Sequence, residues 1–136
     1  MENMLVKDVM LSKEKFAIVS SNAMLKDALD AINESKLGIA CIINDEQKLK
    51  GIITDGDIRR KLLKVQKPLS ALFVDDALDH AIQNPVLCGI NDSLQDAVTI
   101  MGEKHIWDLP VVNEKKELVG LLHLHPAVEA LLNERK

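Results

Sequence analysis

The residues best placed to do chemistry stand in two short strings. Gly51-Ile52-Ile53-Thr54-Asp55-Gly56-Asp57 reads as the end of a strand running into a helix. At such a junction the first N–H groups of the helix lack partners and the positive end of its dipole is exposed, so an anion can settle there. Thr54 could hydrogen-bond a phosphate oxygen, and Asp57 could accept from the two hydroxyls of a diol. The same residues are also what a helix needs to cap itself, since Thr and Asp are favoured at its start. Both readings stay open. Arg59, Arg60, Lys61, Lys64 and Lys67 follow as a basic patch. It would either draw in a phosphate or sugar carboxylate or form an ordinary solvated face. The second string is His123-Leu124-His125. Its histidines share a face if the strand before them continues, and they would then contact an anionic ligand or simply lie at the surface. A metal is not expected, because two imidazoles are too few and no carboxylate or thiolate neighbours them closely in sequence.

No catalytic constellation accompanies these strings. There is no G-x-S-x-G elbow, P-loop or H-E-x-x-H, so the chain alone is not expected to be an enzyme. The 136 residues carry a net charge of −4 and a pI near 5.5, which argues against nucleic-acid binding. Aromatics are confined to Phe16, Phe73 and Trp107, leaving no base-stacking platform and an aliphatic core. Cys41 and Cys88 sit in apolar runs with no metal spacing and are expected to be buried, reduced thiols. Trp107 is expected in the core or an interface. His80 and His105 are assigned nothing. The N-terminus lacks a signal-peptide apolar stretch, and apolar runs reach only about seven residues, short of a membrane span. A cytoplasmic protein is expected.

The elements that must position the two strings repeat. Met24–Leu29 lies over Ser93–Val98 at an offset of 69, which holds without a gap to Leu62-Leu63 over Leu131-Leu132. Leu25/Leu94, Ala28/Ala97, Asn44/Asn113 and Gly51/Gly120 are among the identical pairs. Upstream, Val6–Met10 resembles Leu78–Ile82 at an offset of 72. Each copy reads as helix, strand, polar turn, strand, helix. In copy one, Asn22 is placed to cap a helix over 23–35. Strands follow at 39–43 and 49–54, then a helix over 58–64. Copy two has a helix over 94–104 capped from Asn91 to Ser93, strands at 109–112 and 118–122, and a last helix starting at Pro126. Extended stretches at 16–20 and 86–90 precede the first helices, and a short helix is expected over 75–82.

This order, carried twice with Leu109-Pro110-Val111-Val112-Asn113 and Gly51–Asp57, resembles the CBS-domain family. The resemblance implies an α/β (α+β) fold of two pseudo-twofold-related motifs, each a small, mostly antiparallel sheet with two helices. Residues 1–64 form the first motif and 65–84 a linker with a short helix. Residues 85–136 form the second, whose N-terminal segment begins near 77. Ile53–Arg60 and Val119–His125 look like the CBS pair of the KpsF/GutQ arabinose-5-phosphate isomerases, whose catalytic sugar-isomerase domain is absent here. The resemblance implies a regulatory module that senses a nucleotide or nucleotide-sugar in clefts between the copies. No cofactor is required; an adenine nucleotide or CMP-sugar would be the effector. The implied partners are a second copy of the chain and an isomerase catalytic domain in cis or trans, with no nucleic acid and no membrane. The family pattern maps onto Gly51, Thr54 and Asp57, with Asp55, Arg59, His123 and His125 as further candidates. Copy two departs from it, since Asp57 aligns with Pro126, which cannot grip a ribose. Two alternatives follow: a dimerisation module with decayed sites, or the regulatory part of a sugar nucleotidyltransferase.

Overall fold

An asparagine explains each hairpin. In copy one Asn44 Oδ1 accepts from the N–H groups of Glu46 and Lys48 at 2.9 and 3.0 Å, closing a turn that puts Gln47 at φ 68°. Asn113 Oδ1 does the same for Lys115 and Glu117, with Lys116 at φ 68°. Such side-chain closure is why Asn recurs in tight turns. The flanking apolar runs then pair as strands.

The structure is a computed structural model and describes residues 4–134. It divides into two units, Glu14–Pro85 and the N-terminal segment through Lys13 together with Val86 onward. In the first unit β1 (Ala17–Ser20) pairs in parallel with β2 (Ile39–Ile43), which pairs antiparallel with β3 (Leu49–Thr54). The helices are α1 (Leu25–Ser35), α2 (Asp55–Lys64) and α3 (Leu69–Phe73), followed by a 3-10 turn at Ala77–His80. In the second unit β4 (Cys88–Gly89), β5 (Asp108–Val112) and β6 (Leu118–His123) form the matching sheet, with α4 (Leu94–Lys104) and α5 (Leu124–Glu134). The cores use equivalent repeat positions. Leu25, Ala28, Ala40, Ile42 and Ile53 are buried in one, and Leu94, Ala97, Leu109, Val111 and Leu122 in the other.

The repeated sequence and the units are cut differently. The segment ahead of copy one packs into the second unit, and the segment after copy one folds back on the first. Val6 N–H donates to Asp92 O and Leu94 N–H to Met4 O; in the first unit Ala77 donates to Ala23 O and Leu25 to Asp75 O. Leu11 and Leu121 exchange two backbone hydrogen bonds, as do Ile52 and Ile82. These pairs fix the upstream offset at 71 rather than 72, because burial of Val6 and Ala77 sets the register.

Gly51 and Gly120 are where those segments cross. A Cβ on Gly120 would lie 2.9 Å from Leu11 O and 2.5 Å from Met10 Sδ; one on Gly51 would lie 3.1 Å from both Ile82 O and Ala81 Cβ. Gly120→Ala should therefore destabilise the chain by about 2–3 kcal/mol and Gly51→Ala by about 1 kcal/mol. Denaturant midpoints of the two variants check this, and equal losses would contradict it.

Several boundaries differ from the sequence reading. Helix α1 starts after Met24, and the carboxylate of Asp27 accepts from Met24 N–H at 3.0 Å; Asn22 instead donates its N–H to Ser20 Oγ. The acid inside the first turn thus does the work expected of the residue before it. Ser93 does cap α4, its Oγ accepting from Asp96 N–H at 3.0 Å. Trp107 is 70% exposed, so the core reading fails. Helix α5 begins at Leu124, two residues before Pro126, which still falls in the first turn where no N–H is needed. The segment over 75–82 holds only the 3-10 turn. Cys41 and Cys88 are buried and not disulfide-bonded, and burial pushes the Cys88 thiol up to about 12.

Candidate functional site

Strand β3 delivers Thr54 to the start of α2, and the two ends lock together. Thr54 Oγ1 accepts from Asp57 N–H at 3.2 Å, and Asp57 Oδ2 accepts from Thr54 N–H at 3.2 Å and from Thr54 Oγ1 at 2.9 Å. This is a capping box. Capping is therefore what these two residues do in the structure described, and any ligand would meet them already paired. The other oxygen of Asp57, Oδ1, accepts from Arg60 Nη2 at 2.7 Å.

Asp57 opens onto a cleft of about 260 Å3 beside α2. Arg60, Lys61, Lys64 and Val65 line one side, and His80, Ala81 and Ile82 the other. Three cations thus face a single carboxylate. Sequence reasoning named these cations only as part of a patch. The helical register separates them: Arg60, Lys61 and Lys64 turn to the cleft, while Arg59 is not among its lining residues.

His80 was missed altogether. Its Nε2 lies 2.8 Å from Asp75 Oδ2, and Lys67 Nζ is 3.0 Å from Asp75 Oδ1 and 2.8 Å from Oδ2. The lysine first and the histidine second hold the Asp75 carboxyl below its ordinary range. His80 Nδ1 is buried and has no hydrogen-bond partner. No motif announces this residue, because it is brought to the cleft by the returning segment.

The remaining candidates go elsewhere. Gly51 packs against Leu78, Ala81 and Ile82, so its missing side chain admits the returning segment. Asp55 lines a separate depression with Asn33, Lys36 and Gly38, its carboxylate lying against Gly38. His123 and His125 do not share a strand face, because the helix begins between them. His123 Nδ1 lies 2.7 Å from Asp108 Oδ1, whereas His125 is 82% exposed and 3.9 Å from Glu129. Burial raises the Asp108 carboxyl above its ordinary value, and the hydrogen bond to His123 partly opposes this. The partnership was readable, since the β5–β6 register sets Asp108 opposite His123. Among the described residues no group of three or more His, Cys, Asp or Glu could hold a metal ion, and no helix is long and apolar enough to cross a membrane.

Known proteins share both the sequence and the fold. A probable arabinose 5-phosphate isomerase of Haemophilus influenzae is 35% identical over 117 residues, covering 86% of this chain and 33% of that protein. The arabinose 5-phosphate isomerase KdsD of Yersinia pestis is 32% identical over 125 residues, covering 92% and 37%. The chain spans about a third of the length of the curated relatives it matches. Among solved structures, CBSX2 in complex with AMP superimposes with a TM-score of 0.83 at 26% identity, covering 97% of this chain and 98% of that one. The CBS domain family matches residues 6–64 and 74–131, which takes in both copies. The chain therefore belongs to the CBS-domain family and carries its tandem pair, a regulatory rather than catalytic module.

Proposed function

We propose that the chain senses a nucleotide or nucleotide-sugar at the start of α2 and thereby controls a sugar-phosphate isomerase catalytic domain, in cis or in trans. One observation carries this reading. Asp57, an acceptor suited to a ribose diol, opens onto a cleft whose other charged walls, Arg60, Lys61 and Lys64, suit a phosphate. The AMP complex of CBSX2 supports a nucleotide as the ligand class. The isomerases of similar sequence, which extend well beyond the matched segment, support the client. Control of that client requires the ligand to bind two states of the module unequally.

Thermal unfolding against AMP, ADP, ATP, S-adenosylmethionine, CMP and a CMP-linked acidic sugar tests the reading. A ligand at about 100 times its Kd should stabilise the chain by about 2.7 kcal/mol, a shift of several degrees. Asp57→Ala should abolish that ligand-induced shift. The variant's baseline will itself fall by about 0.5–2 kcal/mol, because Asp57 also closes the capping box. The informative quantity is thus the shift and not the midpoint. A full shift retained in Asp57→Ala would rule the α2 cleft out.

One observation favours a second reading, assembly without sensing. Helix α2 leaves Leu62 48% and Leu63 81% exposed. Aliphatic side chains at neighbouring positions of a charged helix suit burial against a second copy. A stable dimer by sedimentation, with no shift from any ligand of the panel, would favour this role over the first.

A further inference from the structure

Arg60 does something in the cleft that capping does not require. Thr54 already satisfies Oδ2 of Asp57, and Arg60 fills Oδ1 at 2.7 Å. Its guanidinium folds back over the first turn of α2. Nη1 and Nη2 both lie 3.3 Å from where a Cβ on Gly56 would stand, so the absence of a side chain there makes the room. A ligand diol approaching Asp57 therefore meets Oδ2 already accepting twice and must share Oδ1 with the guanidinium. Arg60 is 58% exposed and Asp57 13%, so the pair is readily exchanged. Such a pair is worth at most about fivefold in an equilibrium constant. Once released, the guanidinium has no second carboxylate to turn to among the cleft-lining residues, whose other charged groups are Lys61 and Lys64.

We propose that Arg60 is the specificity residue of the cleft, disfavouring neutral nucleosides and favouring ligands that bring an anion together with a diol. This rests on the reading of the cleft as the ligand site. A nucleoside competes with Arg60 for Oδ1 of Asp57, and to use both its hydroxyls there it displaces the guanidinium and leaves it without a partner. A nucleotide breaks the same pair but supplies a phosphate, to which a guanidinium can donate through two N–H groups. The ion pair is thus a latch that opens more readily for one chemical class.

Calorimetric titration of the chain with AMP and adenosine, and with CMP and cytidine, tests this in wild type, Arg60→Ala and Arg59→Ala. Alanine is the best helix former, so neither variant should unfold α2. In Arg60→Ala the nucleotide should bind roughly threefold to a hundredfold more weakly, because the charge-assisted hydrogen bond lost outweighs the competitor removed. The nucleoside should bind up to about fivefold more tightly, because its competitor is gone. The nucleotide-to-nucleoside ratio should therefore collapse. Arg59→Ala removes the same charge from outside the cleft and should leave the ratio within about twofold, since exposed charges are screened. Equal weakening of nucleotide and nucleoside in Arg60→Ala would overturn the inference alone. So would an equal change of ratio in Arg59→Ala. Wild-type protein that binds none of the four compounds, and none of ADP, ATP, S-adenosylmethionine or a CMP-linked acidic sugar, would overturn the ligand-site reading, and this inference with it.

Discussion

Removing residues 1–13 should unfold the unit built from Val86 onward while leaving Glu14–Pro85 folded. Those residues lie far in sequence from the strands they support. Val6 is fully buried in the core of Leu94, Leu109 and Leu122, and burying such a side chain stabilises by about 1.5–3 kcal/mol. The segment also makes a set of backbone hydrogen bonds, with Asp92, Ile90, Leu94 and twice with Leu121. Its loss would leave Leu94 N–H, the first of α4, without Met4 O, and would expose the edge of β6 at Leu121. A buried group left unpaired costs about 1–3 kcal/mol. Together these come to about 2.5–6 kcal/mol, a large part of what a small domain has. Hydrogen exchange read by mass spectrometry should show protection lost across peptides of 86–134 and kept across 17–54. Protection that persists in 86–134 would mean the N-terminal segment is dispensable, and a uniform loss would mean the two units do not fold separately.

This dependence was only partly legible in the sequence. The gapless offset of 69 exposed the hairpins and first helices, because apolar alternation and turn asparagines are local signals. The upstream similarity was visible too, but its register was misplaced by one residue. Leu78–Ile82 matches Val6–Met10 in apolar character about as well as the true pairing does. The structure decides for Val6 over Ala77 because both are fully buried and donate to equivalent carbonyls. What no local pattern could convey is that each segment packs on a hairpin distant in sequence. The glycines at 51 and 120 were the trace of it. Read as a ligand position, Gly51 is also where the returning backbone comes within 3.1 Å of the place a Cβ would take.

The candidate site divides in the same way. Thr54 and Asp57 were placed correctly at the strand-to-helix junction, because a capping box has a sequence signature. Whether that box also faces a cleft depends on His80, Ala81 and Ile82, which arrive from the returning segment. The basic run showed five cations, and only the helical register selects Arg60, Lys61 and Lys64 over Arg59. The pairing of the two histidines failed on a boundary. A helix that begins at Leu124 sends His125 to solvent and leaves His123 with Asp108.

That pair gives the second large effect. His123→Ala should destabilise the chain by about 3 kcal/mol near neutral pH, and by less as the pH falls. The Asp108 side chain is 12% exposed, and its one described partner is His123 Nδ1 at 2.7 Å. Burial raises its pKa, so the group binds a proton more readily folded than unfolded. The sign follows from that. Asp108 contributes its full stability below its unfolded value, and this contribution is lost as pH rises through the raised folded value. His123 opposes the shift, so removing it raises the folded pKa further and deepens the loss on the alkaline side. As the pH falls through the raised value Asp108 takes up its proton in both proteins, and the difference between them shrinks. Asp108→Asn removes the charge, so His123→Ala in that background should show only a small penalty, flat with pH. Denaturant unfolding of the four proteins at about pH 4.5 and about pH 7.5 completes the cycle. If the penalty of His123→Ala is instead the same at both pH values and survives in the Asp108→Asn background, the histidine acts by packing. If it grows on acidification, an imidazolium–carboxylate pair is the stabilising species, and the buried carboxylate is not the liability that its surroundings indicate.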